Sequence, residues 1–108
     1  MATREERQAL NEAAARDINE RLEEAHPTEP GNYIRMVCEC GREVCDRVVA
    51  ITTEEYEEIR SDPVQFVVVH DHVIGNIERI VLETDRFAVV AKREGVPAEI
   101  AVNEDPRS

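Results

Sequence analysis

The chain reads as a small α+β domain: an antiparallel sheet of two hairpins stapled by zinc, with an N-terminal amphipathic helix and one short helix. Three observations predict this. Three cysteines fall within eight residues, Cys38-Glu39-Cys40-Gly41-Arg42-Glu43-Val44-Cys45, and the chain has no others. Short β-branched runs recur through the middle of the sequence. Two helix-start signatures, Thr3 with Glu6 and Thr52 with Glu55, each match the spacing of a capping box.

Residues 1–26 are assigned to the first helix. Leu10, Ala14, Ile18, Leu22 and Ala25 recur at steps of three or four and mark the face expected to pack against a sheet or a partner helix. His26-Pro27 ends the helix, and 27–32 is a loop by its turn chemistry. Tyr33 to Cys38 is a strand, Gly41 the flexible point of the turn, and Cys45 to Ile51 the returning strand. A second helix spans Thr53 to Ser61, with Asp62-Pro63 as its stop. Val64 to Val69 is a dense β-branched strand. Residues 77–83 suit helix or strand; a hairpin with Phe87–Ala91 through Thr84-Asp85-Arg86 is preferred. Residues 33–93 form the zinc-binding unit, and 94–108, which contain Pro97 and Pro106, are expected to be a flexible tail.

Composition limits the function classes. The 108 residues form one domain at most. The core is built from Val, Ile and Ala, because only Phe66, Phe87, Tyr33 and Tyr56 are aromatic. A core of this size contributes about 3–5 kcal/mol, and small domains commonly add a metal or disulfides. With 24 acidic against 13 basic residues the net charge is −11. That argues against nucleic acid, whose binding rests on neutralised phosphates, and against anionic membrane surfaces. It suits a basic protein partner. With no signal-peptide pattern and no membrane-spanning run, the expectation is a soluble, cytoplasmic protein.

Cys38 and Cys40 are two apart, so on an extended segment they share a face. A bend at Gly41 lets Cys45 return to the same point. Zinc takes four ligands in a tetrahedron, with thiolate and imidazole the usual donors, so three cysteines lack one partner. Candidates for the fourth are His26, His70, His72 and acidic residues such as Asp46. His70 and His72 follow a buried strand whose end can reach the hairpin tip. Buried cysteines can also be plain core residues, but Glu39, Arg42, Glu43 and Asp46 are not core-like neighbours.

The motifs resemble a family of small uncharacterised actinobacterial proteins. Its pattern is matched by Arg4-Glu5-Glu6-Arg7, Cys38-Glu39-Cys40-Gly41 with Cys45, Thr52-Thr53-Glu54-Glu55-Tyr56, Arg60-Ser61-Asp62-Pro63, Phe66-Val67-Val68 and Val89-Val90-Ala91-Lys92, over roughly residues 4–93. The resemblance places the histidine of that pattern at His72. The glycine before it in the family is Asp71 here, and His70 has no counterpart. The implied ligand set is Cys38, Cys40, Cys45 and His72. The family brings no established activity.

A non-enzymatic zinc protein with a protein partner is therefore the expected function. A zinc hydrolase would need an open metal position and a base, for which Glu39 or Glu43 could serve; the H-E-x-x-H and zinc-deaminase signatures are absent. Three cysteines and one histidine also ligate some [2Fe–2S] clusters, so an iron–sulfur or thiol-redox role is the other alternative. A zinc-dependent DNA regulator is disfavoured by charge.

Overall fold

The computed structural model describes residues 3–25, 31–41, 45–72, 78–92 and 95–107. The elements are α1 (Arg4–Ala25), β1 (Tyr33–Val37), β2 (Val48–Thr52), α2 (Thr53–Arg60), β3 (Gln65–Val68), a single 3-10 turn (His70–His72), β4 (Glu78–Glu83), β5 (Ala88–Lys92) and α3 (Val96–Asn103). The chain is thus α+β, with two antiparallel sheets. β1 and β2 form the first, from Tyr33 opposite Thr52 to Val37 opposite Val48. The second has the order β3-β5-β4. The preferred hairpin at 78–92 is present, with a bulge between Ile80 and Leu82.

Local chemistry accounts for the elements. Thr52 and Glu55 form the full capping box: Glu55 N–H donates to Thr52 Oγ1 and Thr52 N–H to Glu55 Oε1. At α1, Glu6 N–H donates to Thr3 Oγ1, and the Thr3 hydroxyl donates to Glu6 Oε1. The central strand β5 is buried along its whole length. With Met36, Val49, Ile51, Tyr56, Ile59, Phe66, Val67, Val68 and Phe87 it makes one apolar core. Among the described residues, no helix is long and apolar enough to cross a membrane.

Two expectations are corrected. The first concerns the packed face of α1. Leu10 and Ile18 are 43 % and 49 % exposed, and Ala14 and Ala25 also face solvent, whereas Ala9, Glu12, Ala13, Arg16 and Asn19 are buried. The helix turns a polar stripe inward because Glu12, Arg16 and Asn19 each find a partner on another element there. Arg16 donates to the carbonyls of Pro63 and Ala101 (2.6 and 2.7 Å) and stacks over Phe66, 4.7 Å from the ring centroid. Asn19 accepts from Val37 N–H and donates to Val37 C=O, both at 2.8 Å, so its amide caps β1 as an added strand residue would. Buried polar groups are tolerated when they are paired in this way.

The second correction is the tail. Residues 95–107 are not a flexible tail but carry α3, which packs on α1 and β5. Ala101 is buried, Asp105 is ion-paired to the buried Arg60, and Arg107 reaches Glu20 and Glu57. Pro97 misled the reading, since proline is tolerated in a helix's first turn, where its missing N–H has no role. His26, within the predicted first helix, lies outside the described residues.

One ionic cluster is fully enclosed. Lys92 Nζ pairs with Glu12 and, at 2.6 Å, with Glu78, and all three side chains have no exposed surface. Two carboxyls share one ammonium, and Glu12 Oε1 has no hydrogen-bond partner among the described residues. Burial pushes the Glu12 carboxyl up to about 9, with Lys92 pulling it down and Glu78 adding to the rise. Its folded pKa thus lies above its unfolded value of 4.5, so the folded state holds the extra proton between those two pH values. Stability therefore falls as pH rises through that window. Replacing the carboxyl by an amide (Glu12→Gln) keeps the shape and removes the titration. Urea unfolding of the metal-loaded protein at pH 6, 7.5 and 9 should show the wild type losing stability relative to Glu12→Gln, on the order of 1 kcal/mol per pH unit. Parallel profiles for the two proteins would show that Glu12 is ionised in the core.

Candidate metal centre

Cys38, Cys40, Cys45 and His72 converge, with one donor atom from each lying within 4.8 Å of all the others. This is close enough to bind a metal ion. His72 Nδ1 is 3.5 Å from both Cys38 Sγ and Cys45 Sγ. Cys38, Cys40 and His72 are buried, and Cys45 is half-buried.

Backbone hydrogen bonds at the ends of β1 and β3 position two of the donors, Cys38 and His72. Cys38 follows directly on β1, and its N–H donates to Arg47 C=O at 3.0 Å, extending the hairpin ladder by one step. Its Sγ accepts from Val69 N–H at 3.3 Å. His72 is held by the 3-10 turn after β3, where its N–H donates to Val69 C=O at 3.0 Å. Both contacts converge on Val69, so the end of β3 sets the spacing between thiol and imidazole. Gly41 has a steric role. A Cβ there would stand 2.8 Å from the Gln8 carbonyl oxygen, and Asn11 Nδ2 donates to Gly41 C=O at 3.3 Å. The turn needs glycine because α1 passes against it.

Crowding tunes the thiols. The Cys38 pKa is pushed up by its hydrogen bond with Cys40 and then by burial. Burial raises Cys45 as well. A bound cation inverts this balance, since a coordinating thiol is held as thiolate.

The other candidates stand apart. His70 is exposed, with Nε2 against the carbonyls of Thr84 (2.6 Å) and Phe87 (3.1 Å), where it fastens the β4–β5 turn. Asp46 is exposed and is not in the cluster. His26 and Glu43 lie outside the described residues.

Glu39, considered above as a base, occupies a different role. It is fully buried. Oε2 accepts from Asn19 Nδ2 (2.8 Å) and Tyr56 OH (2.9 Å), and Oε1 accepts from Val67 N–H (3.0 Å). Its own N–H donates to Val67 C=O at 2.7 Å. Burial raises its pKa, opposed by the three donated bonds. The carboxylate ties the cysteine segment to α1, α2 and β3 together. A signal for this was present in the spacing: if Cys38 and Cys40 share one face of an extended segment, Glu39 points to the other, into the core. The partners Asn19 and Tyr56 carried no such signal.

No family model, curated protein or solved structure matches the chain.

Two predictions follow from this geometry. His72→Ala should lose most of its metal on purification while His70→Ala keeps it, as measured by elemental analysis; equal retention in both would remove His72 from the site. Glu39→Ala should destabilise the metal-loaded protein by roughly 3 kcal/mol or more in urea unfolding, because it strands three buried donors at about 1–3 kcal/mol each. A loss below about 1 kcal/mol would show that water replaces the carboxylate.

Proposed function

We propose that the chain is a small zinc-binding protein in which the metal is structural, and that it acts by presenting surfaces to a protein partner instead of by catalysis. The observation that carries the reading is the spacing of the four donors. In a tetrahedron with Zn–S of about 2.3 Å and Zn–N of about 2.0–2.1 Å, a sulfur and a nitrogen stand about 3.6 Å apart. His72 Nδ1 stands 3.5 Å from two of the sulfurs. A single ion fits this spread. A two-iron cluster distributes its terminal ligands over two irons and calls for a wider arrangement than donors all within 4.8 Å.

Two points favour a structural over a catalytic metal. Four protein donors occupy every position of a tetrahedral zinc, whereas a catalytic zinc keeps one for water or substrate. Glu39 is buried with both oxygens engaged, which leaves it unsuited to activating a water. The partner follows from charge: a net −11 favours a basic protein.

The purified protein should contain one zinc per chain. Cobalt substitution should give the visible ligand-field bands of a tetrahedral thiolate site. A strong chelator should unfold the chain, since binding energy on the order of 10 kcal/mol is part of its folding energy. Unchanged circular dichroism after complete metal removal would refute the structural role.

A further inference from the structure

A groove of about 330 Å³ runs between α2 and the edge strand β4. Ile59, Val81, Leu82, Phe87 and Val89 supply its apolar lining, and Glu58 stands on its rim. Val81 and Leu82 are 42 % and 54 % exposed, on a strand that is itself the border of its sheet. The nearby carboxylates fall into two groups. Glu55 is taken by Arg86 at 2.7 Å, and Glu57 by Arg107. Glu54, Glu58 and Glu83 are exposed and make no ion pair among the described residues.

We infer that this groove binds a short linear segment of a partner protein in which apolar side chains alternate with Lys or Arg. The apolar side chains would sit over Val81, Leu82 and Ile59, and the cations would meet Glu58 and, one turn earlier on the same face of α2, Glu54. Charge complementarity selects this occupant. A second copy of the chain would bring another net −11 to the same rim. The bulge between Ile80 and Leu82 selects the mode of binding. It interrupts the regular edge that strand addition requires, and bulges protect edges from such pairing. The side-chain groove, not the backbone edge, is then the receptor. The inference rests on the reading of the chain as an interaction protein, but it uses none of the metal-site residues.

The test uses the metal-loaded full chain and a fluorescein-labelled synthetic hexapeptide of alternating leucine and lysine, followed by fluorescence polarisation. Two control peptides replace leucine by serine or lysine by glutamate. Saturable binding of the leucine–lysine peptide is expected, with both controls at least about tenfold weaker. Leu82→Ser should weaken binding about tenfold, the worth of one buried leucine contact. The double variant Glu54→Gln, Glu58→Gln should weaken it several-fold. Ile80→Ser, on the same strand but outside the lining, should leave it unchanged. Circular dichroism and zinc content of each variant establish that it is folded, and the double variant alters only exposed side chains. Equal binding of the serine–lysine peptide would reduce the effect to bulk charge and overturn the assignment. So would an unchanged affinity in both variants, or no binding at all. A metal-free preparation that stays folded and binds the peptide would sink the structural-zinc reading and leave the groove standing; a zinc-loaded protein that ignores the peptide would do the reverse.

Discussion

The buried carboxylate of Glu39 is the constraint on which the rest of the structure depends. It lies between two cysteines of the cluster and accepts hydrogen bonds from α1, α2 and β3. Its backbone N–H bonds to β3 as well. The segment that carries Cys38 and Cys40 is thereby fixed to two helices and to the second sheet. A buried carboxylate is costly unless it is well paired. Three donors in a low-dielectric interior offset that cost and demand a defined geometry in return. The two small sheets share no strand, and Glu39 opposite Val67, with Val69 N–H on Cys38 Sγ beside it, links them.

The same principle governs α1. Its inner face carries Glu12, Arg16 and Asn19, each with a specific partner on another element. Hydrophobic burial is non-directional and tolerates sliding. Paired polar groups do not, so a helix held this way has one register on the sheet. The enclosed Lys92 cluster and the Arg60 pair with Glu20 and Asp105 work in the same sense. Leaving Leu10 and Ile18 in solvent shows that partner geometry outweighs the apolar stripe here.

This explains which parts of the molecule were legible in the sequence. The capping box at Thr52, the β-branched β3 and the hairpin that carries the cysteines rest on local chemistry and are present, though the returning strand begins at Val48 and not at Cys45. The alternation of Cys38 and Cys40 pointed to a shared face, and the structure brings Cys45 and His72 to it. The inner face of α1 was not legible, because Arg16 and Asn19 look like solvent residues until Ala101, Pro63 and Val37 are in place. α3 was misread for a similar reason. Its proline and charged end signal a loose terminus, and only Arg60 and Glu20, far away in sequence, show what the charges meet.

The placement of the four donors also bears on how the domain assembles. Three lie within eight residues, while His72 is 27 residues beyond Cys45. Bringing the nearby cysteines together closes only short loops, whereas engaging His72 closes one that contains β2, α2 and β3. The entropy of closure grows only slowly with loop length, so length itself is a small obstacle. The larger requirement is that β3 be docked, because Val69 positions both Cys38 Sγ and His72. In the folded chain the fourth donor and the Glu39–Val67 contact thus depend on the same docked strand. The donor set and the junction of the two sheets share β3, so a metal held there would act on the fold as a whole and not on the hairpin tip alone.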